Sequence, residues 1–135
     1  MQHLSFITLS NSTQNNRFAI SLVEESYYEL KIFAGVDIDI DDVKDIVAAQ
    51  KQMGGKRLPT LVNAPPDAIV NVETMNYISK NENFPYSKAG AYLVSSSTQK
   101  LLSNFYLKLK NPQRPTKFFS NREEAVKWIM EQKDL

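Results

Sequence analysis

The sequence contains no cysteine and only one histidine, His3, and these absences exclude several kinds of catalytic and metal site. Without cysteine there are no disulfides, no thiolate nucleophile and no thiolate ligands for a metal. A single histidine beside the first residue does not support a catalytic triad or a histidine-rich metal site. We therefore predict no enzymatic activity, no metal site and no cofactor.

Glycine-rich phosphate loops and long hydrophobic runs are missing as well. The pair Gly54-Gly55 follows a predicted helix instead of opening one, which is the wrong polarity for binding an anion at a helix N-terminus. No apolar run approaches the roughly 18 residues that a membrane-spanning helix needs, and residues 1–10 lack the pattern of a secretory signal. We expect a cytoplasmic protein without stable membrane insertion.

Length and composition are those of one globular domain, and we treat residues 1–135 as a single domain. A chain of this size buries roughly two-thirds of the surface of its unfolded form, so a hydrophobic core can form without crosslinks. The net charge of +1 gives no general attraction to the phosphate backbone, so nucleic acid is not an expected partner.

The first third of the chain predicts three short strands. Residues 4–9 and 18–23 are rich in apolar side chains and flank a polar run, residues 10–17, which we interpret as a loop. Residues 27–33 alternate in the manner of a half-buried strand. Because the connections are short, the three strands are expected to form an antiparallel meander.

From residue 40 onward, helical periodicity alternates with short buried strands. The predicted strands are Leu58–Asn63, residues 89–94 and Thr116–Phe119. The predicted N-caps are Asp39, Asn71 and two capping boxes, Ser96 with Gln99 and Ser120 with Glu123. The final helix should bury Trp128 at least partly against the sheet. The order βββαβαβαβα predicts an α/β fold with a mixed sheet, because alternating strands and helices give parallel pairs.

An acidic run at residues 37–42 partly matches a calcium-binding loop. Three alternate aspartates occupy the first three ligand positions, but Asp42 stands where the loop needs a glycine and Ala48 where it needs a glutamate. Capping of the following helix explains the same aspartates. We therefore predict no divalent-ion site here.

A basic and aromatic segment near the C-terminus is the candidate ligand-binding patch. Side chains of these two kinds together bind single-stranded nucleic acid or anionic lipid, although a solvated basic surface has the same composition. The candidate residues are Tyr106, Lys108, Lys110, Arg114 and Lys117.

Three features of the sequence predict a homodimer with two-fold symmetry. The meander leaves a strand edge unpaired, and acidic residues at 37–45 complement basic residues at 88–122. Tyr27, Tyr28 and Phe33 crowd one strand, whose outer face would have the composition of an interface.

Four segments of the chain resemble SpoIIAA-like proteins and the STAS domains grouped near them. They are residues 38–42, Leu58–Asn63, residues 104–108 and residues 115–125. The resemblance runs from about Tyr27 to the C-terminus. It implies a SpoIIAA-like mixed sheet and a role in signalling through protein binding instead of catalysis.

STAS domains that act as anti-sigma factor antagonists are switched by phosphorylation of a serine in an Asp-Ser-Ser-Gly motif at the start of the second helix. The equivalent residues here are 71–74, Asn-Val-Glu-Thr, so the acceptor serine is absent and that switch does not carry over. We interpret the protein as a non-enzymatic regulatory or protein-interaction module with an unidentified protein partner. The alternative is a binder of a small apolar or anionic, lipid-like ligand on the same fold.

Overall fold

The computed structural model describes the backbone of residues 7–9, 11–109 and 113–135 and the side chains of residues 11–101, 103–104 and 113–135. The strands are β1 (Ile7–Leu9), β2 (Ser12–Gln14), β3 (Phe18–Val23), β4 (Tyr27–Ile32), β5 (Asp37–Ile38), β6 (Leu58–Asn63), β7 (Ile69–Val70), β8 (Ser87–Leu93) and β9 (Thr116–Phe119). The helices are α1 (Ile40–Gln52), α2 (Val72–Ile78), α3 (Ser97–Leu109) and α4 (Arg122–Lys133).

Seven strands form one mixed sheet in the order β1-β2-β3-β4-β6-β8-β9, and β5 pairs with β7 separately. Strands β1 to β4 are antiparallel to their neighbours, whereas β4, β6, β8 and β9 run parallel. The predicted mixed α/β sheet is confirmed, with its parallel half built by crossover helices.

The polar run at residues 10–17 is not only a loop, because it contains β2. Thr13 pairs with Ile20 of β3, and its side chain is buried. Its neighbours Ser12 and Gln14 point to the opposite face of the sheet, where they line a shallow groove open to solvent. Polar side chains cost little on a solvated face, so this strand carries no hydrophobic signal.

Two hydrophobic cores lie on opposite faces of the sheet. The larger core packs α1 and α2 against β3, β4 and β6, with Ile46 and Met75 among its buried side chains. The smaller core packs α4 against β6, β8 and β9, with Ala125 and Ile129 fully buried. Trp128 is partly buried, and its ring centroid lies 5.8 Å from that of Phe119, as predicted.

The predicted helix boundaries are confirmed at three helices. Asp39 caps α1 and forms a capping box with Asp42, and Asn71 caps α2. The Ser96 hydroxyl accepts from the Gln99 backbone N–H at 3.1 Å, in front of α3. Gly54, with φ of 113°, follows α1 in a conformation that favours glycine.

The predicted capping box of the last helix, Ser120 with Glu123, is wrong by one residue. Asn121 is the N-cap, and its side-chain oxygen accepts from the backbone N–H of Glu124 at 2.9 Å. Strand β9 keeps its parallel pairing up to Phe119, so the chain has room to turn only after Ser120. Asparagine serves this position as well as serine does.

The aromatic residues proposed as a dimer interface are mostly inside the fold. Tyr27 belongs to the smaller core, and Tyr28 is fully buried with its hydroxyl donating to the Lys56 carbonyl at 2.6 Å. The two faces of β4 are both covered at this end, by helices of the two cores. Tyr27 is therefore not an interface residue, and homodimer formation stays a prediction that rests on the strand edge and on the uneven charge.

Gln50 offers a test of how the larger core is packed. It is fully buried in α1, and neither atom of its side-chain amide has a hydrogen-bond partner. A buried amide without partners costs about 1–3 kcal/mol. Replacing it with methionine, Gln50→Met, should therefore raise the free energy of unfolding by about 1–2 kcal/mol in urea titrations. Gln52→Met, on the exposed side of the same helix, is the matched control and should change it by less than about 0.5 kcal/mol. Destabilisation by Gln50→Met would contradict this reading of the core.

Candidate functional site

The predicted basic and aromatic patch falls largely outside the described side chains, so its ligand-binding role stays a prediction. Lys110 lies outside the described residues, and the side chains of Tyr106 and Lys108 also lie outside them, although both residues belong to α3. Lys117 is exposed, with its ammonium 5.5 Å from the centre of the Phe119 ring.

Arg114, one of the candidate ligand-binding residues, is buried in the structure. Its guanidinium donates to the carbonyls of Ile78 at 2.5 Å and Phe84 at 3.0 Å. The same group lies over the Phe84 ring, 5.5 Å from its centre. Carbonyls at the end of a helix lack partners within the helix, and this guanidinium supplies one. Arg114 thus ties the end of α2 to the turn that leads into β8.

This placement predicts that two substitutions of the same kind, at Arg114 and at Lys117, change the free energy of unfolding by very different amounts. Arg114→Met should lower the free energy of unfolding by about 2–4 kcal/mol, because two buried carbonyls lose a charged donor. Lys117→Met should change it by less than about 0.5 kcal/mol. Chemical denaturation of both variants measures the difference, and equal effects would show that Arg114 is not the structural residue.

Aspartates of the acidic run cap the start of α1 and pair with an arginine that the sequence analysis did not single out. Arg17 makes a bidentate pair with Asp42, with Nε to Oδ1 at 2.8 Å and Nη2 to Oδ2 at 2.9 Å. Its Nη2 also donates to the Asp37 carbonyl at 2.8 Å. Across the described side chains, no group of three or more histidine, aspartate or glutamate residues is placed to hold a metal ion. The side chains of Asp39 and Asp42 are thus accounted for by capping and by Arg17.

Opposing effects act on the pKa of Asp42. Burial alone would raise this pKa, but the hydrogen bonds from Arg17 and from the Asp39 backbone outweigh burial and hold it below its ordinary value. A carboxylate with a lowered pKa in the folded state adds stability above its ordinary pKa, and this stability is lost as the pH falls through the lowered value.

The pH dependence of the free energy of unfolding should show the contribution of the pair between Arg17 and Asp42. The free energy of unfolding of the wild type should fall as the pH decreases below about 5. Arg17→Met should make part of that fall less steep. It should also lower the free energy of unfolding at pH 7 by about 1 kcal/mol, a figure reduced for solvent screening. Lys56→Met breaks an exposed pair with Glu25 and is the control, which should leave the profile unchanged. Parallel wild-type and Arg17→Met profiles would rule out the assigned role of Arg17.

An apolar cavity lies at the carboxyl ends of β6 and β8, between α2 and α3. Its volume is about 40 Å³, and the described residues that line it include no charged side chain. The strands contribute Val62, Tyr92 and Phe118, and the helices contribute Met75, Gln99 and Ser103. The aromatic rings of Tyr92 and Phe118 stack with centroids 5.2 Å apart and form one wall.

Gln99 and Ser103, the polar side chains that the described part of α3 contributes to the cavity, already have partners within the protein. The Ser103 hydroxyl donates to the Lys100 carbonyl at 2.8 Å. The Gln99 amide donates to the carbonyls of Pro65 at 2.9 Å and Ala68 at 2.8 Å. Its oxygen accepts from the backbone N–H groups of Ser95 at 2.8 Å and Ser96 at 3.3 Å. The space is therefore suited to an apolar occupant.

A second concave surface lies on the same face of the sheet as α4, over the antiparallel strands that α4 leaves uncovered. It has a volume of about 590 Å³ and is lined by residues of β2, β3 and β4 with polar side chains such as Gln14 and Lys31. At its rim Glu29 accepts two hydrogen bonds from Arg122, at 2.7 and 2.9 Å. These bonds, more than any other effect, hold the pKa of Glu29 below its ordinary value. The composition of this concave surface is that of a solvated face of an antiparallel sheet.

In a comparison with protein families, residues 27–133 match the family described as "Domain of unknown function (DUF7793)". The chain belongs to the DUF7793 family. A search of curated proteins finds no match for this chain.

Among solved structures, the DUF7793 domain is similar to an uncharacterized protein of the DUF3478 family with a SpoIIAA-like fold from Shewanella loihica PV-4. The two share 14% sequence identity with a TM-score of 0.50, over 83% of this chain and 91% of the other. The predicted SpoIIAA-like fold is thereby confirmed, and at this identity the likeness concerns the fold alone. Neither comparison indicates a catalytic family. In the described part of the DUF7793 domain, no helix has both the length and the apolar character to cross a membrane.

Proposed function

We propose that the DUF7793 domain is a non-enzymatic binding module for a small, uncharged apolar ligand in the cavity between α2 and α3. The observation that carries the proposal is that the described residues lining that cavity, at the carboxyl ends of parallel strands, include no charged side chain. Of the two functions predicted from the sequence, the proposal places ligand binding ahead of a surface for a protein partner.

The position of the cavity supports the proposal. In open α/β sheets, ligands bind in crevices outside the carboxyl ends of the strands, because the connecting loops and helix ends converge there. Strands β6 and β8 both end at this cavity, and β7 with the segment before it forms a further wall. Ligand pockets are typically apolar with a few polar groups, which is also the composition here.

The lining favours an apolar ligand over the anionic one that the sequence left open. A buried anion without a cation or enough hydrogen-bond donors would lose several kcal/mol of solvation. Of the basic side chains considered as anion ligands, the two that the structure describes lie elsewhere, since Arg114 holds the turn after α2 and Lys117 lies on the face covered by α4. An uncharged molecule avoids this cost and gains the burial of its apolar surface.

Two fluorescent probes of the same skeleton test the ligand class. N-phenylnaphthylamine is neutral, and anilinonaphthalene sulfonate adds one negative charge. The neutral probe should bind in a one-to-one complex, at least about tenfold more tightly than the sulfonate, because only the sulfonate must bury an unpaired charge. Equal affinities, or a preference for the sulfonate, would overturn the assignment to an apolar ligand.

A cavity-filling substitution tests the location of the site. Ser103→Val replaces the hydroxyl with a methyl group and adds a second methyl group at the buried wall of α3. It should raise the free energy of unfolding by about 1 kcal/mol while weakening binding of the neutral probe about tenfold. Asn104→Val makes a similar change on the exposed side of the same helix and should do neither. Because the first variant gains stability, its loss of binding cannot be attributed to unfolding. Unchanged binding in Ser103→Val would place the probe elsewhere.

A further inference from the structure

We infer that the second concave surface, over β2, β3 and β4, is a binding site for a neutral carbohydrate, and we call it the polar groove. Its residues Glu29 and Lys31 alternate along β4 with Leu30, which belongs to the larger core. The polar groove therefore lies on the opposite face of the sheet from the cavity between α2 and α3. This inference goes beyond the proposed function and does not depend on it.

The register of the sheet makes the polar groove concave. Ala19, in the middle strand β3, pairs with Gln14 of β2 and with Lys31 of β4. Directly paired residues point to the same face, so the short Ala19 side chain forms a floor between two long ones. Ser21, the next position of the floor along β3, is also short. The resulting volume of about 590 Å³ lies within the roughly 300–1,000 Å³ that is typical of ligand sites.

Four polar side chains of the polar groove are available to a ligand. Among the described residues, no hydrogen bond reaches these side chains, which belong to Ser12, Gln14, Ser21 and Lys31. Hydroxyl and amide groups both donate and accept hydrogen bonds. A carbohydrate matches this mixture, because each of its hydroxyls also donates and accepts. The open face of a sheet binds oligosaccharides in other folds as well.

The end of the polar groove next to α4 is held in place by an ion pair. Arg122 donates to both carboxylate oxygens of Glu29, at 2.7 and 2.9 Å, and the Asn63 amide donates to the same carboxylate at 3.4 Å. The Arg122 side chain is still 49% exposed, so its planar fork keeps further N–H groups toward solvent. Such a fork suits a pair of neighbouring hydroxyls on one sugar ring.

The other end of the polar groove carries an aromatic ring that the core does not use. Phe33 follows Lys31 along the chain, lines the groove and is partly exposed. In the described structure, it belongs to neither hydrophobic core. The face of an aromatic ring carries partial negative charge, and the C–H groups on one side of a sugar ring pack against such a face. A solvated sheet face needs no aromatic ring, so Phe33 is the feature that points to a ligand with both hydroxyls and an apolar face.

The charges of the polar groove favour a neutral carbohydrate over an anionic one. Glu29 and Arg122 neutralise each other, which leaves Lys31 as the one charge without an ion pair among the described lining residues. A single exposed lysine attracts an anion only weakly in physiological salt. The Glu29 carboxylate on the same strand would also repel an anion.

A glycan array tests the chemical class of the ligand. Fluorescently labelled wild-type protein is applied in physiological salt to neutral oligosaccharides and to oligosaccharides that carry sulfate or uronic acid groups. At least one neutral oligosaccharide should bind. Binding confined to the acidic oligosaccharides, or no binding to any oligosaccharide, would overturn the inference.

Two matched pairs of substitutions test the location of the site, with the neutral oligosaccharide that binds most tightly as the probe. Phe33→Leu removes the ring and should weaken binding about tenfold, whereas Phe33→Tyr keeps the ring and should change it by less than about twofold. Ala19→Gln fills the floor of the groove and should weaken binding at least about tenfold, whereas Ala19→Ser keeps the floor open. The midpoint of thermal unfolding should stay within about 5 °C of wild type in both Ala19 variants, because this side chain lies on a solvated face. Equal affinities within both pairs would show that the polar groove is not the site.

Nuclear magnetic resonance locates the same oligosaccharide on wild-type protein without any substitution. Amide signals of residues 19–21 and 29–33 should shift during the titration, and those of α2, on the other face of the sheet, should not. Shifts centred on α2 would overturn the polar groove as the carbohydrate site. Because the fluorescent probe of the proposed function is measured separately, failure of either site leaves the result for the other intact.

Discussion

Strand β6 lies at the junction of both hydrophobic cores, and its burial on two faces determines where the other elements pack. Leu61 points into the smaller core under α4, and Val62 points into the larger core under α1 and α2. Its neighbours β4 and β8 run parallel to it on either side. Pro59, which has no N–H, lies where the pairing with β8 shifts register, between Leu58 and Thr60, so the strand accommodates a proline at its start.

The crossovers from β6 explain the unequal covering of the sheet. Parallel neighbours need right-handed connections, so α1 and α2 fall on one face, and α3 lies beside α2. Among the described helices, only α4, after the last strand, packs on the other face, mainly against β6, β8 and β9. The antiparallel half is therefore left with one solvated face, where polar β2 is stable. On the crowded face, α2 and α3 meet over the strand ends and leave the cavity between them.

Local signals predicted the elements, and long-range packing accounts for what they missed. Asp39 and Asn71 cap helices through contacts within three residues, so the sequence shows these boundaries directly. The burial of Arg114 depends on carbonyls at residues 78 and 84, which no periodicity brings near it. The cavity could not be predicted for the same reason, since its walls come from four separate segments. Gln99 shows both cases, because its capping role follows from Ser96 whereas its bonds to Pro65 and Ala68 span more than 30 residues.

The start of α2 links the absent phosphorylation switch to the proposed cavity. The resemblance to STAS antagonists places their phosphorylated serine at residues 71–74, but here Asn71 caps the helix through the backbone N–H of Thr74 at 2.8 Å. Thr74 is 1% exposed, and its hydroxyl donates to the Ile38 carbonyl at 3.2 Å, so a kinase would have to unfold this turn to reach it. The same helix contributes Val72 and Met75 to the cavity wall. In the antagonists this helix is switched by added charge, whereas here it packs apolar side chains against the cavity. Under the proposed function, a change at this helix would therefore come from the occupant of the cavity instead of from a phosphate group.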